Sequence, residues 1–102
     1  MQNFRTYQLA KELFHRSKGL NLTRHYRDQF DRAMLSISLN LAEGSAKESK
    51  KGRHHFYQIA LGSLREVQAL IDILELDHLK KDADVLGAHI FNLCRSLRAP
   101  SR

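Results

Sequence analysis

Tryptophan is absent from this chain, and cysteine and proline occur once each in 102 residues. The single thiol, Cys94, forms no intrachain bridge, which excludes a disulfide framework and makes a reducing cytoplasm the simple expectation. The lone proline, Pro100, lies two residues from the end and interrupts nothing before it. Five glycines are scattered without an Asn-Gly or Asp-Gly pair, so the common hairpin signal is missing. Apolar runs of the roughly 18 residues that a transmembrane helix requires are missing too, and no membrane partner is expected. Met1 to Ala10 carries Arg5 and polar residues in place of the apolar stretch of a signal peptide.

What is present suffices for folding. Hydrophobic residues make up 42% and charged ones 27%, too apolar a mixture for a disordered tail. The length suits one domain over residues 1–102 with a thin core. Lys and Arg number 17 against 11 Asp and Glu, a surplus of +6. That balance raises the expectation of an anionic partner such as nucleic acid, although an equal surplus also serves solubility alone.

Apolar residues recur with a spacing near 3.6, strict polar–apolar alternation is scarce, and four helices follow. The first covers Phe4 to Lys18, with Tyr7, Ala10, Leu13, Phe14 and Ser17 on one face and Gly19 as a positive-φ C-cap. The second runs from Arg24 to Ala46 behind Thr23 as N-cap. Ser49 caps the third, Lys50 to Leu76. Asp82 or Asp84 caps the fourth, which ends near Leu97 and turns Leu86, Ile90, Cys94 and Leu97 inward. Connections of a few residues favour antiparallel neighbours, so the expected fold is all-α, an up-down-up-down four-helix bundle.

Placed at steps of about 100°, the second helix has two apolar sides. Phe30, Met34, Ile37 and Leu41 form one arc, and Leu35, Leu39 and Ala42 form another roughly opposite. Arg32, Ser36, Asn40 and Glu43 fill a polar sector beside Gln29. A helix in a small monomeric bundle needs one buried stripe, so the second arc predicts an oligomer interface at Leu35, Leu39 and Ala42. The alternative is that helices of the same chain wrap both sides. The third helix gathers Phe56, Ile59, Ala60, Leu64, Val67, Leu70, Ile71 and Leu74 on one broad face, with Ser63 near its middle and Glu66 at its rim. Ser63 and Glu66 are expected to join Arg32, Ser36 and Asn40 in a hydrogen-bonded network; alternatively, Ser63 bonds the carbonyl four residues back.

The stretch Asp31-Arg-Ala-Met-Leu-Ser-Ile-Ser-Leu-Asn-Leu-Ala-Glu-Gly44 resembles the signature RAxxSIxxNIAEG of the four-helix bundle proteins found as reading frames in intervening sequences of bacterial large-subunit ribosomal RNA. Tyr57 to Glu66 resembles the second signature of that family, xxIAxGSLxE, and a Ser-Lys-Lys turn at Ser49 to Lys51 joins the two. The match covers the second and third helices well and the outer two only by pattern. The resemblance implies a homo-oligomeric ring, described for relatives as a pentamer, and no assigned function or cofactor. A more distant likeness is to the accessory protein of diversity-generating retroelements, described as a basic ring that binds nucleic acid and a reverse transcriptase. Carried over, the matched polar and glycine positions are Arg32, Ser36, Asn40, Glu43, Gly44, Ser63 and Glu66. Leu39 and Leu41 depart from the usual proline and isoleucine.

Positive charge is densest at the turn between the second and third helices, where Lys47, Lys50, Lys51 and Arg53 fall within seven residues, followed by His54 and His55. A helix N-terminus with four basic side chains suits a phosphate backbone held without sequence readout, and the same run also suits a merely solvated turn. Arg24 and Arg27 are further candidate contacts, placed where the helix dipole disfavours cations. Tyr26 and Tyr57 are the available stacking platforms. No metal is expected, because His54 and His55 diverge by about 100° and His89 and Cys94 are badly spaced. No catalysis is expected either: a phosphate loop, a nucleophile elbow and a His-Glu-x-x-His motif are all missing, and Arg32 with Glu43 reads as a structural ion pair. The resulting expectation is a non-enzymatic, cytoplasmic, homo-oligomeric adaptor contacting RNA or DNA, with room for a protein partner beside it; a purely protein-binding scaffold is the alternative.

Overall fold

The computed structural model describes residues 4–98, so Pro100 and the first three residues lie outside it. It contains helices α1 (Phe4–Arg16), α2 (Arg24–Ala46), α3 (Lys50–Ile73) and α4 (Lys80–Arg98). Short 3-10 turns at Ser17–Gly19 and Asp77–Leu79 follow α1 and precede α4, and there is no strand among the described residues. The helices pack against one another into a rod of 48 × 20 × 20 Å. α3 lies against both α2 and α4, and α1 leans on α2 and α4.

The core follows the predicted stripes closely. Phe30, Met34, Ile37 and Leu41 are fully buried, as are Leu64, Val67, Leu86 and Ile90. Each such side chain contributes about 1.5–3 kcal/mol relative to exposure. α1 sends Thr6, Ala10 and Leu13 inward, the turn after it sends Ser17, and Cys94 is buried on α4 beside Ile90.

One part of the third helix is corrected. Ile59 is 39% exposed, while Tyr57 takes a place in the core. The innermost stripe is Tyr57, Ala60, Leu64, Val67 and Ile71, stepping 3, 4, 3 and 4, and Ile59 falls off its edge.

The ends of the helices differ from expectation at several points. Ser49 caps α3 as predicted, its Oγ accepting from the Gly52 N–H at 3.0 Å. Thr23 stands at the N-cap of α2 with extended backbone but makes no side-chain cap. Gly19 does not adopt positive φ; it belongs to the 3-10 turn after α1, whose Ser17 carbonyl accepts from Arg27. Positive φ occurs instead at Glu75 (57°). There α3 stops three residues short of the predicted Leu76, because Leu76 N–H bonds Ile71 O at 2.9 Å and Glu75 N–H bonds Asp72 O at 3.3 Å, the paired contacts of a Schellman stop. Asp82 and Asp84 lie inside α4 rather than capping it, and they pair with Arg16 and Lys80 respectively.

Candidate functional site

The polar residues of α2 and α3 meet along the seam between the two helices. Ser36 Oγ and Ser63 Oγ are 2.6 Å apart, and the Asn40 amide donates to Ser36 O at 2.8 Å and to Ser36 Oγ at 3.2 Å. Ser63 thus bonds across the seam. Arg32, Glu43 and Glu66 are exposed and stay outside this cluster. The expected Arg32–Glu43 ion pair does not form: eleven residues of helix separate the two by about 16 Å along the axis. Glu43 pairs instead with Lys47 one turn on, at 3.2 Å. Ser63→Ala leaves the Ser36 hydroxyl without its partner across the seam, and a loss of about 1 kcal/mol in urea unfolding is expected.

Where α2 ends, the seam closes on Gly44. A Cβ placed there would sit 2.6 Å from Tyr57 Cε1 and 3.3 Å from Phe56 Cβ. The buried ring of Tyr57 lies flush on the α2 backbone only because position 44 has no side chain. Tyr57 is therefore a packing residue and presents no stacking face, whereas Tyr26 is exposed beside His25.

The basic corner divides into two kinds of side chain. Arg53 donates from Nη1 to Lys47 O at 2.9 Å and Glu48 O at 3.0 Å, tying α3 to the end of α2. Lys47 extends over the Phe56 ring at 5.2 Å while pairing with Glu43. Lys50 and Lys51 are exposed at the start of α3 with no ion pair among the described residues. His54 is half-buried, with Nε2 3.2 Å from the Gln58 amide, and the rings of His55 and Phe56 meet in a T-shaped pair.

The two arginines of the α2 start separate in the same way. Arg24 is exposed, but Arg27 is committed: it donates to Leu20 O at 2.7 Å and Ser17 O at 3.1 Å and pairs with Asp31 at 3.2 Å. Leu35 and Leu39, 49% and 65% exposed, and exposed Ala42 are left largely open by the described residues. The described residues contain no group of three His, Cys, Asp or Glu that could hold a metal ion, and no helix among them is long and apolar enough to cross a membrane.

Residues 4–99 match the profile of the family described as 23S rRNA-intervening sequence protein. The chain belongs to this family. No curated protein and no solved structure matches it. In this 23S rRNA-intervening sequence protein the two signature stretches face one another: Ser36 and Asn40 of the first meet Ser63 of the second, and Gly44 admits Tyr57. On α4, away from this seam, Asp84 accepts from Lys80 and from Gln68, each at 3.0 Å. There the Asp84 carboxyl is held below the ordinary aspartate range, chiefly by the hydrogen bond from Lys80, and the same bond raises the Lys80 ammonium. Both groups are exposed, so this pair adds little to stability.

Proposed function

We propose that this protein is a non-enzymatic, homo-oligomeric adaptor of the cytoplasm, an antiparallel up-down-up-down bundle whose α2–α3 corner contacts the phosphate backbone of RNA or DNA. The observation that carries the nucleic-acid reading is the division of labour at that corner. Arg53 donates to two carbonyls of the turn and holds it in one shape, while Lys50 and Lys51 remain exposed on it. A cationic surface that is already ordered does not lose that ordering entropy on binding, and the overall surplus of +6 favours a polyanion.

The antiparallel order is supported by contacts that step away from each corner along both helices: Gly44 with Tyr57, then Ser36 with Ser63; Gln68 with Asp84, then Leu64 with Gly87. Self-association is supported by Leu35 and Leu39, large apolar side chains bared side by side. In the five-membered ring that the family resemblance implies, the basic corners repeat around one rim and weak contacts add by avidity. A non-catalytic role for the seam is supported by its bonding, since the Ser36 hydroxyl engages another hydroxyl and an amide rather than a carboxylate or imidazole.

Fluorescence anisotropy with a structured RNA and a duplex DNA tests the nucleic-acid reading. The Lys50→Glu/Lys51→Glu variant keeps Lys47 and Arg53, so the turn stays intact. Its affinity is expected to fall by at least about tenfold, and the slope of log K against log salt to shrink by about 2. Equal binding by both proteins removes the corner from the reading. Failure of the wild-type protein to bind either nucleic acid would favour the protein-binding scaffold.

A further inference from the structure

α2 and α4 each pack on α1 and α3, so they occupy opposite corners of the bundle, each with an outer face turned to solvent. The outer stripe of α2 reads Asp28, Arg32, Leu35, Leu39 and Glu43, all exposed. That of α4 reads Lys81, Asp84, Ala88, Phe91 and Arg95, also exposed. At about 1.5 Å of rise per residue, successive members of the two stripes keep level to within about 1.5 Å.

Laid side by side in the same direction, the stripes are complementary at every step. Asp28 meets Lys81, Arg32 meets Asp84 and Glu43 meets Arg95; Leu35 meets Ala88, and Leu39 meets Phe91 between them. Laid in opposite directions, the same stripes press Leu39 onto the Asp84 carboxylate and separate Arg32 from any acid. In the up-down order proposed above α2 and α4 run the same way, and rotation about an axis along the bundle preserves direction. A cyclic assembly therefore brings α2 of one copy against α4 of the next in the complementary register.

We propose that the outer face of α4, from Lys81 to Arg95, is the second half of a head-to-tail contact and receives the outer face of α2 from a second copy of this chain. The inference rests on the self-association proposed above and adds its geometry: two different surfaces, each used once per subunit, rather than one surface paired with itself. Arg32, Asp28 and Lys81 hold no ion pair among the described residues and are free to engage. The exposed pairs Glu43–Lys47 and Lys80–Asp84 are easily exchanged for new partners. Leu39 at 65% and Phe91 at 41% exposure supply the apolar surface that closing the contact removes from water.

Two variants test it by light scattering at micromolar concentration, with circular dichroism checking that each stays helical. Leu35→Glu/Leu39→Glu spoils the α2 face, and Ala88→Glu/Phe91→Glu spoils the α4 face. Wild type is expected to assemble and each variant to be a monomer. Their equimolar mixture should form a one-to-one dimer, because each brings one intact and complementary face. An α4 variant that assembles like wild type, or a mixture that stays monomeric, overturns the inference while leaving self-association standing; a monomeric wild type overturns both. A second arm survives misfolding of either variant. Glu43→Arg should weaken assembly by about tenfold or more, equivalent to 1.4 kcal/mol, and Arg95→Glu in the same chain should restore it. Rescue by Lys81→Glu instead, or by neither change, overturns the register.

Discussion

Gly44→Ala is expected to destabilise the bundle by roughly 2 kcal/mol, a fall of about 10 °C in Tm for a chain of this size. The added methyl would stand 2.6 and 2.8 Å from two carbons of the Tyr57 ring, and that ring is 4% exposed, with core on its other side. Either the ring leaves its rotamer or α2 and α3 move apart at the corner. Gly62→Ala is the control, since a Cβ there meets nothing within 4 Å. In the interior of α3 this change should stabilise by about 0.5–1 kcal/mol through a less flexible unfolded chain and better helix propensity. Thermal melts at one fixed protein concentration compare the two, because self-association makes Tm depend on concentration. Equal and small effects at both positions would mean that the Tyr57 ring does not need the gap.

Arg27→Ala should cost about 2 kcal/mol in urea unfolding, while Arg24→Ala stays within about 0.5 kcal/mol. Arg27 sits in the angle between α1 and α2, where a single guanidinium serves two carbonyls of the connection and the Asp31 carboxylate. Arg27→Lys should recover little, because an ammonium lacks the planar fork that reaches several acceptors together. A loss for Arg24→Ala as large as for Arg27→Ala would show that the connection is not held this way. Reduced nucleic-acid affinity in a folded Arg27→Ala protein would restore that side chain to the binding surface.

The sequence predicted well whatever depends on spacing alone. Phe30, Met34, Ile37 and Leu41 recur every three or four residues, and burial followed. The exposed second arc at Leu35 and Leu39 was legible for the same reason. What depends on pairs was not. Ile59 is more apolar than Tyr57 and looks the better core residue, yet the gap above Gly44, visible only when α2 meets α3, selects the ring. Arg32 and Glu43 share a face but not a height, and only height brings charges together. The basic residues of the α2–α3 corner could be counted in advance, but not the carbonyls that Arg53 and Arg27 satisfy, which converge only after the chain has turned. The end of α3 was hidden because Glu75, neither glycine nor asparagine, takes the left-handed conformation that stops it.

The inward residues of α1 include just one large aliphatic side chain fully withdrawn from water, Leu13; Thr6 and Ala10 are small. Tyr7, Leu9 and Phe14 pack on the core but are only partly buried, and the polar hold on this helix is gathered at one end, where Arg16 meets Asp82 and Arg27 meets the connection. Native-state openings should be unequal as a result. Amide exchange is expected to be slowest in α2 to α4 and faster in α1, which can peel away by releasing its partly buried rings and one cluster of charges without global unfolding.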